Sequence, residues 1–501
     1  MPVWYARTDA PRWRRACEQV REKGGRLVAL WAADKRDIGH GFVVYAALTV
    51  RSGLIVIAVL ATDERYPDIS DLFPAANRMQ RAAYDLLGVR ADGAEDTRKW
   101  LRHVAWPEDA FPLRKDFPSE GLPQQENGAL PDNYPFVKVE GEGVHEIPVG
   151  PVHAGTIEPG HFRFSIVGEG ILRLEERLGY KHKGIEKGFE SMTLMEGARL
   201  AGRISGDSTV AYGWAYAMAV ECAAAVTPPA RALCLRALLL ERERIGQHLW
   251  DLGFLGNDAG LAFGLAQFSR LREEWLRVSH ATFGHRYLMD TIVPGGVACD
   301  LDRDGHDRIA LEIESVAEAV AVLRNIYDEH AGLQDRFIGC GRVRPELAER
   351  MGLTGLAGRA SAVAWDLRVQ FPPVPYEQFE VRMATHRNGD VAARVMVRFD
   401  EIAESLRLIG LMLAHLPAGE VFAPLPSVPE SAIGIGWVEG WRGEVLIGLE
   451  VAAGQRLRRV HAHDPSWQNW PLLERAVLGN IVGDFPLINK SFNLSYSGQD
   501  L

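Results

Sequence analysis

The chain has 501 residues, with 56 Lys and Arg against 66 Asp and Glu, a formal net charge of -10, and 47% hydrophobic to 24% charged residues. That balance excludes a protein that grips nucleic acid through bulk charge, and it describes a globular chain, neither disordered nor coiled-coil. The length suits two or three domains of roughly 100–200 residues each. No apolar run approaches the roughly 18–20 residues that cross a bilayer, and the opening MPVWYARTDAPRWRR offers a secretory signal no apolar stretch, so the expected location is cytoplasmic.

Residues 12–23 read as a polar helix and 26–33 (RLVALWAA) as a strand. Two further strands, 41–50 and 54–61, meet at Arg51-Ser52-Gly53 in a hairpin signal, and helical periodicity follows over 69–87. These elements predict a small α+β domain over 1–118. The stretch PSEGLPQQENGALPDNY, rich in Pro, Gly and polar residues, reads as a linker, set at 119–146, or as a strap across a partner surface. Strand-like alternation appears at 137–148 and 162–173. From Ser208 the pattern turns helical. Thr227-Pro228 reads as a hydroxyl cap with proline in the first turn, opening a helix through ARALCLRALLLERERIGQHLWDL, and long helical stretches cover 261–283, 304–330 and 397–415. Strand-like pieces return at 444–450 and 455–460. Residues 147–501 are therefore expected to form a large, mainly helical domain with flanking β structure, and the whole chain an α+β protein.

Generic catalytic patterns are absent. The five cysteines (Cys17, Cys222, Cys234, Cys299 and Cys340) form no CxxC pair, which argues against a disulfide framework and against a zinc or iron–sulfur site built from this chain alone. There is no Gly-Lys dipeptide for a P-loop, no GxSxG elbow and no HExxH. The glycine pairs Gly141/Gly143, Gly168/Gly170 and Gly434/Gly436 do not extend to a GxGxxG turn. His461, His463 and Asp464 (HAHD) have the spacing of a strand-borne ligand set, with a solvated surface cluster the favoured reading. Glu241, Arg242, Glu243, Arg244 and His248 form a charge run expected at a subunit interface or on a solvated face.

Two stretches carry a specific likeness. MQRAAYDLLGVRADGAEDTRKWLRHVAWPEDAFPLRKDFP (79–118) resembles the signature of the thirty-kilodalton subunit of respiratory complex I, through Tyr84-Asp85, Gly88-Val89 and the closing Pro112-Leu113-Arg114-Lys115-Asp116-Phe117. The second domain resembles the forty-nine-kilodalton subunit of complex I and the large subunit of membrane-bound nickel–iron hydrogenases. The carrying motifs are VGPVHAGTIEPGHFRF (149–164), GYKHKGIEKGFE (179–190), WAYAMAVE (214–221), RALLLERERIGQHLWDLG (236–253), ARVMVRFDEIAESLRLI (393–409), EGWRGE (439–444) and PSWQNWPLLERAVLGNIVGDFPLINKS (465–491). The entry motif and the fused first domain resemble the group 4, formate hydrogenlyase-like hydrogenases most.

The resemblance implies where a metal site would lie, and there the sequence departs. Relatives hold nickel and iron by two CxxC pairs. This chain has Ser205 and Ser208 at the first pair, and Ser495 and Gly498 at the second. Tyr212 replaces a histidine usual four residues after the second cysteine. Only three residues follow Gly498, so no extension of the kind removed after nickel insertion is expected. A bound thiol ionises and is a soft donor, whereas a hydroxyl is hard and resists ionisation, so no metal site is expected. For quinone chemistry, the resemblance places a tyrosine where Gly206 stands, His153 at the hairpin histidine, and His161 as a stand-in for a second. Arg442 falls where relatives place an arginine over the cavity, or else it pairs with Glu439 or Glu444. His182 and Glu186, with Lys187 beside them, resemble a charged stretch near a proton route, the first two sharing a face at i, i+4 if helical. Ser205, Asp207, Ser208, Tyr212 and Ser495 are expected to line the vacated pocket.

The implied function is a peripheral-arm subunit of a membrane-associated energy-converting oxidoreductase complex. It would lack its own nickel–iron centre, sit on the inner face of the cell membrane, and couple electron transfer or conformation to ion translocation. The implied partners are a small iron–sulfur subunit, which would hold the clusters, and antiporter-like membrane subunits. The alternative is a redox-active subunit passing electrons from a neighbouring iron–sulfur subunit to a quinone, with any NADH site on another polypeptide.

Overall fold

The computed structural model describes residues 2–104, 106–122, 133–154 and 157–501; residues 123–132 of the stretch read as a linker lie outside them. The chain divides into two compact units, one formed by Met1–Glu190 with Arg350–Gly352 and Tyr496–Leu501, the other by Ser191–Glu349 with Leu353–Ser495. Both mix helix and sheet, so the α+β expectation holds.

In the first unit, strand β1 (Val3–Thr8) is followed by helix α1 (Ala10–Glu22), β2 (Leu27–Asp34), β3 (Phe42–Val50) and β4 (Gly53–Ala61). The strands form a sheet in the order β1-β4-β3-β2, with β1 parallel to β4 and the other pairs antiparallel. The Asp9 side chain caps α1 by accepting the Arg12 N–H at 2.9 Å, and Pro11 sits in the first turn where no N–H is needed. Trp13 and Cys17, one turn apart, are its buried residues. Short β5 (Arg65–Pro67) and β6 (Arg90–Asp92) pair in parallel around α2 (Ala76–Leu87). The predicted 69–87 helix thus loses its first turns. A proline disfavours helical angles at the residue before it, and the helix starts beyond Pro74. Asp85 of α2 accepts the backbone N–H groups of Trp100 and Leu101 at 2.6 and 2.7 Å, which makes the Tyr84-Asp85 motif a clamp on the following loop.

Strands β7 (Val144–Val149), β8 (His161–Val167) and β9 (Gly170–Arg177) form an antiparallel sheet, followed by the short helix α3 (Ile185–Phe189). The single strand read at 162–173 is really two, folded back at Gly168-Glu169 with Val167 paired to Gly170.

The second unit contains α4 (Leu194–Ala201), α5 (Thr209–Ala224), α6 (Ala230–Asp258), α7 (Ala262–Phe283), the small hairpin β10 (Ile292–Val293) and β11 (Gly296–Val297), and α8 (Arg303–Glu329). Then follow α9 (Ala331–Phe337), α10 (Pro345–Met351, whose last two residues are assigned to the first unit), α11 (Gly355–Ala360), α12 (Leu367–Gln370) and α13 (Val391–Ala414). A three-stranded antiparallel sheet, β12 (Ile433–Glu439), β13 (Glu444–Ala452) and β14 (Arg456–His463), precedes α14 (Ser466–Ala476) and α15 (Phe485–Phe492). Helix α6 begins two residues after Pro228 with no side-chain cap, so Thr227 does not cap it. Helix α13 starts earlier than its apolar pattern suggests because Asp390 caps it, accepting the Ala393 N–H at 2.8 Å.

The core of this unit is the packing of α5 against the β12–β14 sheet and of α6 against α7 and α13. Gly434 and Gly436 place β12 almost on the α5 backbone. A Cβ on either would lie 1.8 Å from a carbonyl oxygen, that of Ala219 or of Ala215. The Gly-Ile-Gly sequence therefore serves close approach, not a nucleotide.

Candidate functional site

A polar cluster sits where α5 begins. Ser205, a short 3-10 turn over 206–208 and Ser208 lead into the helix, and both serines are buried. The Ser205 hydroxyl donates to Asp207 Oδ1 at 2.7 Å and lies 3.0 Å from the Ser495 hydroxyl. Since Ser205 has one proton and gives it to the carboxylate, Ser495 is the donor in the second bond. Serines from two distant motifs are thus joined directly.

Arg442 completes the cluster. The strands β12 and β13 are connected by Gly440-Trp441-Arg442-Gly443, closed by Gly440 N–H to Gly443 O at 2.8 Å. The guanidinium grips both Asp207 oxygens, reaches the Ser208 hydroxyl at 3.2 Å and donates to the Asn493 carbonyl. Trp441 donates its indole N–H to the Asp207 carbonyl at 2.8 Å and lies beneath the guanidinium at 4.1 Å. Burial pushes the Asp207 carboxyl up, but the Arg442 charge and the Arg442 and Ser205 hydrogen bonds outweigh it and bring it down to about 2. The site holds an ion pair at neutral pH. The expectation of a pair with Glu439 or Glu444 fails, because Glu439 binds Arg359 and Glu444 accepts from Trp365.

Tyr212, one turn into α5, donates to Asp464 Oδ2 at 2.7 Å. Burial and that carboxylate hold the phenol well above its ordinary range, so it stays a neutral donor. Asn493 donates to Asp251 on α6 at 2.8 Å, and Asp251 is paired with Arg398 at 2.8 Å and Lys490 at 3.2 Å. Sequence reasoning missed Asp251 and Asn493. The available signal was a lone carboxylate inside the apolar run LWDLG, which a buried helix tolerates only with a partner.

Several expectations are corrected. The 241–248 charge run is neither an interface nor a solvated face: Glu241, Arg242, Arg244 and His248 are at most 1% exposed and Glu243 is 7%. Glu243 accepts the Val210 and Ala211 N–H groups at 2.7 and 3.2 Å, the free amides at the start of α5. Burial nevertheless raises its carboxyl to about 8. The HAHD cluster is likewise buried: His463 meets Gln468 at 2.9 Å and Asp464 meets Tyr212. Among the described residues no group of three or more His, Cys, Asp or Glu is arranged to hold a metal.

In the first unit, His182 and Glu186 do not share a helical face. Gly184, at φ 65°, separates them, α3 starts only at Ile185, and His182 instead approaches Asp500 at 3.3 Å and the edge of Trp106. Glu186 is 2% exposed, and Lys187 binds the Arg114 carbonyl and Glu190. His153 and His161 bracket the β7–β8 connection, His153 bonded to the Gly160 carbonyl at 2.7 Å and His161 to that of Gly150 at 3.4 Å.

Residues 6–123 match the family described as the respiratory-chain NADH dehydrogenase, 30 Kd subunit, and residues 258–433 the corresponding 49 Kd subunit. The chain is 30% identical to formate hydrogenlyase subunit 5 of Escherichia coli (strain K12), covering 96% of this chain and 85% of that protein. It is 31% identical to hydrogenase-4 component G of the same organism, covering 95% and 84%. It is 30% identical to the C/D subunit of NADH-quinone oxidoreductase from Phocaeicola vulgatus, covering 85% of each. A chain of the membrane-bound sulfane sulfur reductase, an archaeal respiratory membrane complex, shares the fold with a TM-score of 0.68 at 24% identity, covering 72% of this chain and 99% of that one. The protein therefore belongs to the family that fuses the 30 Kd and 49 Kd subunits of the respiratory-chain NADH dehydrogenase and includes formate hydrogenlyase subunit 5, hydrogenase-4 component G and the C/D subunit of NADH-quinone oxidoreductase.

Proposed function

We propose that this chain is the peripheral-arm subunit of a membrane-associated, energy-converting oxidoreductase complex, without a nickel–iron centre of its own, and that it couples electron transfer or conformation to ion translocation. The names of its relatives support the assembly. A small iron–sulfur subunit would supply the clusters and antiporter-like subunits the membrane path, with the chain held peripherally on the inner face. Consistent with an arm that sits on a membrane, no helix among the described residues is long and apolar enough to cross one.

The observation that carries the reading is the direct bond between Ser205 and Ser495. A soft bimetallic centre needs ionised thiolates turned inwards, free of competing partners. Here the equivalent side chains are hydroxyls whose protons are committed to each other and to Asp207, with Arg442 across the carboxylate. Gly498 has no side chain to offer a metal. The residues do not fit nickel and iron. What they do hold is an ionised carboxylate, a guanidinium and two linked hydroxyls, an arrangement that senses a change of charge beside it.

The test is metal analysis and turnover of the complex purified with its partners. Nickel far below one per chain and no dihydrogen turnover are expected; stoichiometric nickel or dihydrogen turnover refutes the proposal. Relatives named as NADH-quinone oxidoreductase subunits support the second reading, electrons passed to a quinone. Quinone-dependent turnover that falls in His153→Ala would select it over the coupling role.

A further inference from the structure

Tyr84 and the residues just beyond α2 carry a chemistry that neither the Asp85 clamp nor the serine cluster uses. Helix α2, β5, β6 and the loop after β6 enclose a cleft of about 380 Å³ in the first unit, large enough for a small molecule. In the parallel register of β5 and β6, Arg65 stands directly opposite Arg90, and Asp92 follows Arg90 by two. Alternate strand residues share a face, so the three side chains project together, and all three line the cleft. Two guanidiniums thus meet one strand carboxylate, and Arg65 has taken it at 2.6 Å. Like charges opposed across a strand pair are unfavourable unless an anion lies between them.

The other carboxylate of the lining is spoken for. Asp96 accepts from Arg81 at 3.1 Å and from Arg98 at 2.7 Å, and these guanidiniums hold it below the ordinary carboxyl range despite its burial. Arg81 is itself pinned, donating to the Arg98 carbonyl at 2.6 Å and the Tyr134 hydroxyl at 2.8 Å. Arg90 is left without a carboxylate among the described residues. Its guanidinium lies over the Tyr84 ring, 4.5 Å from the centroid, and donates to the Tyr84 hydroxyl at 2.7 Å. The tyrosine oxygen is the acceptor in that bond, so its own proton remains to be given. It meets no acceptor among the described residues, and the Thr97 hydroxyl in the same lining makes no hydrogen bond there. Gly93 and Ala94 keep the cleft open: a Cβ on Gly93 would find nothing nearer than the Asp68 Cβ at 3.9 Å.

We infer that this cleft binds a phosphate group, either free or at the end of a small organic molecule. A phosphate turns three or more acceptor oxygens in different directions, and here donors converge from β5, β6, α2 and the following loop. A carboxylate has two coplanar oxygens, which the Arg90 fork alone would satisfy, leaving the Tyr84 and Thr97 hydroxyls idle. The guanidinium fork matches two phosphate oxygens. Stacking on Tyr84 fixes that fork before a ligand arrives, which lowers the entropy that binding costs. The cleft is larger than one phosphate fills, so an organic group has room beside Ala91 and Ala94. This site goes beyond the coupling role and needs neither a partner subunit nor turnover.

Titration calorimetry of the purified full chain at low salt tests it, with inorganic phosphate, adenosine 5′-monophosphate and adenosine as probes. Saturable binding of at least one of the two phosphates is expected, and none of adenosine. Tighter binding of the nucleotide assigns the site to an organic phosphate; equal or tighter binding of inorganic phosphate assigns it to the free ion. Arg90→Gln, at an exposed side chain, should weaken binding roughly tenfold to a hundredfold. Tyr84→Phe, which keeps the ring beneath Arg90, should weaken it by a smaller factor. Arg12→Gln, at an exposed arginine of α1, should leave it unchanged. No saturation by either phosphate up to about 10 mM, or adenosine binding as tightly as its phosphate, overturns the inference. So does undiminished affinity in Arg90→Gln, or an equal loss in Arg12→Gln, which would mark general attraction to surface charge. None of these outcomes bears on the metal analysis above.

Discussion

At the residue scale, what separates this chain from a thiolate site is the partner each serine has taken. Asp207 gives Ser205 an acceptor, and Arg442 fixes Asp207. That Ser205, Ser208, Ser495 and Arg442 gather at one place was legible from motif position alone. Their mutual bonding was not, because it joins residues 290 positions apart. Replacing Arg442 by Gln should destabilise the chain by about 2 kcal/mol, below the roughly 3–5 kcal/mol for a fully buried pair, because the Asp207 side chain keeps 36% of its exposure. The loss should depend on pH. A carboxyl held down to about 2 in the folded state contributes stability above its ordinary range and loses it as pH falls through about 2. The gap between wild type and Arg442→Gln in urea unfolding should therefore be full at neutral pH and close in acid. A gap that persists in acid would mean that Arg442 acts by packing on Trp441 instead.

Elements were read more accurately than their surroundings. Periodicity located α6, α7, α8 and α13, since a helix announces itself by spacing wherever it is buried on one side. It failed at 162–173, where a two-residue turn hides inside an alternating run, and at 69–75, where proline blocks the start. It also misjudged the charge run on α6. Charge reads as exposure only if no partner is near, and the partners Arg368 and Glu401 come from elements more than a hundred residues away. The glycines of β12 carry a sharper consequence. Gly436→Ala sets a methyl group 1.8 Å from the Ala215 carbonyl of α5, an overlap that neither backbone can relieve without separating sheet from helix. Its cost should exceed about 4 kcal/mol, the range reserved for gross structural conflict. Calorimetry should show a large drop in melting temperature or no folded protein. A near-wild-type transition would show that β12 can lift from α5.

At the scale of the whole molecule, the family was legible because its motifs run in order along the chain. The protonation state of its interior was not, since it follows from which carboxylates burial strands. Asp85, Glu243, Asp258, Glu312 and Glu439 are pushed up, Glu243 to about 8. Between the ordinary carboxyl range and about 8 the folded chain therefore keeps protons that the unfolded chain has released, so stability falls as pH rises through that window. The net charge of -10 adds self-repulsion in the same direction. Each such group steepens the fall by up to about 1.4 kcal/mol per pH unit. Glu243→Gln keeps an amide oxygen for the α5 N–H groups but cannot ionise, so its urea midpoint should match the wild type in mild acid and exceed it increasingly towards pH 8. Parallel profiles for the two proteins would show that the helix amides of Val210 and Ala211 hold Glu243 ionised throughout, the helix dipole outweighing burial.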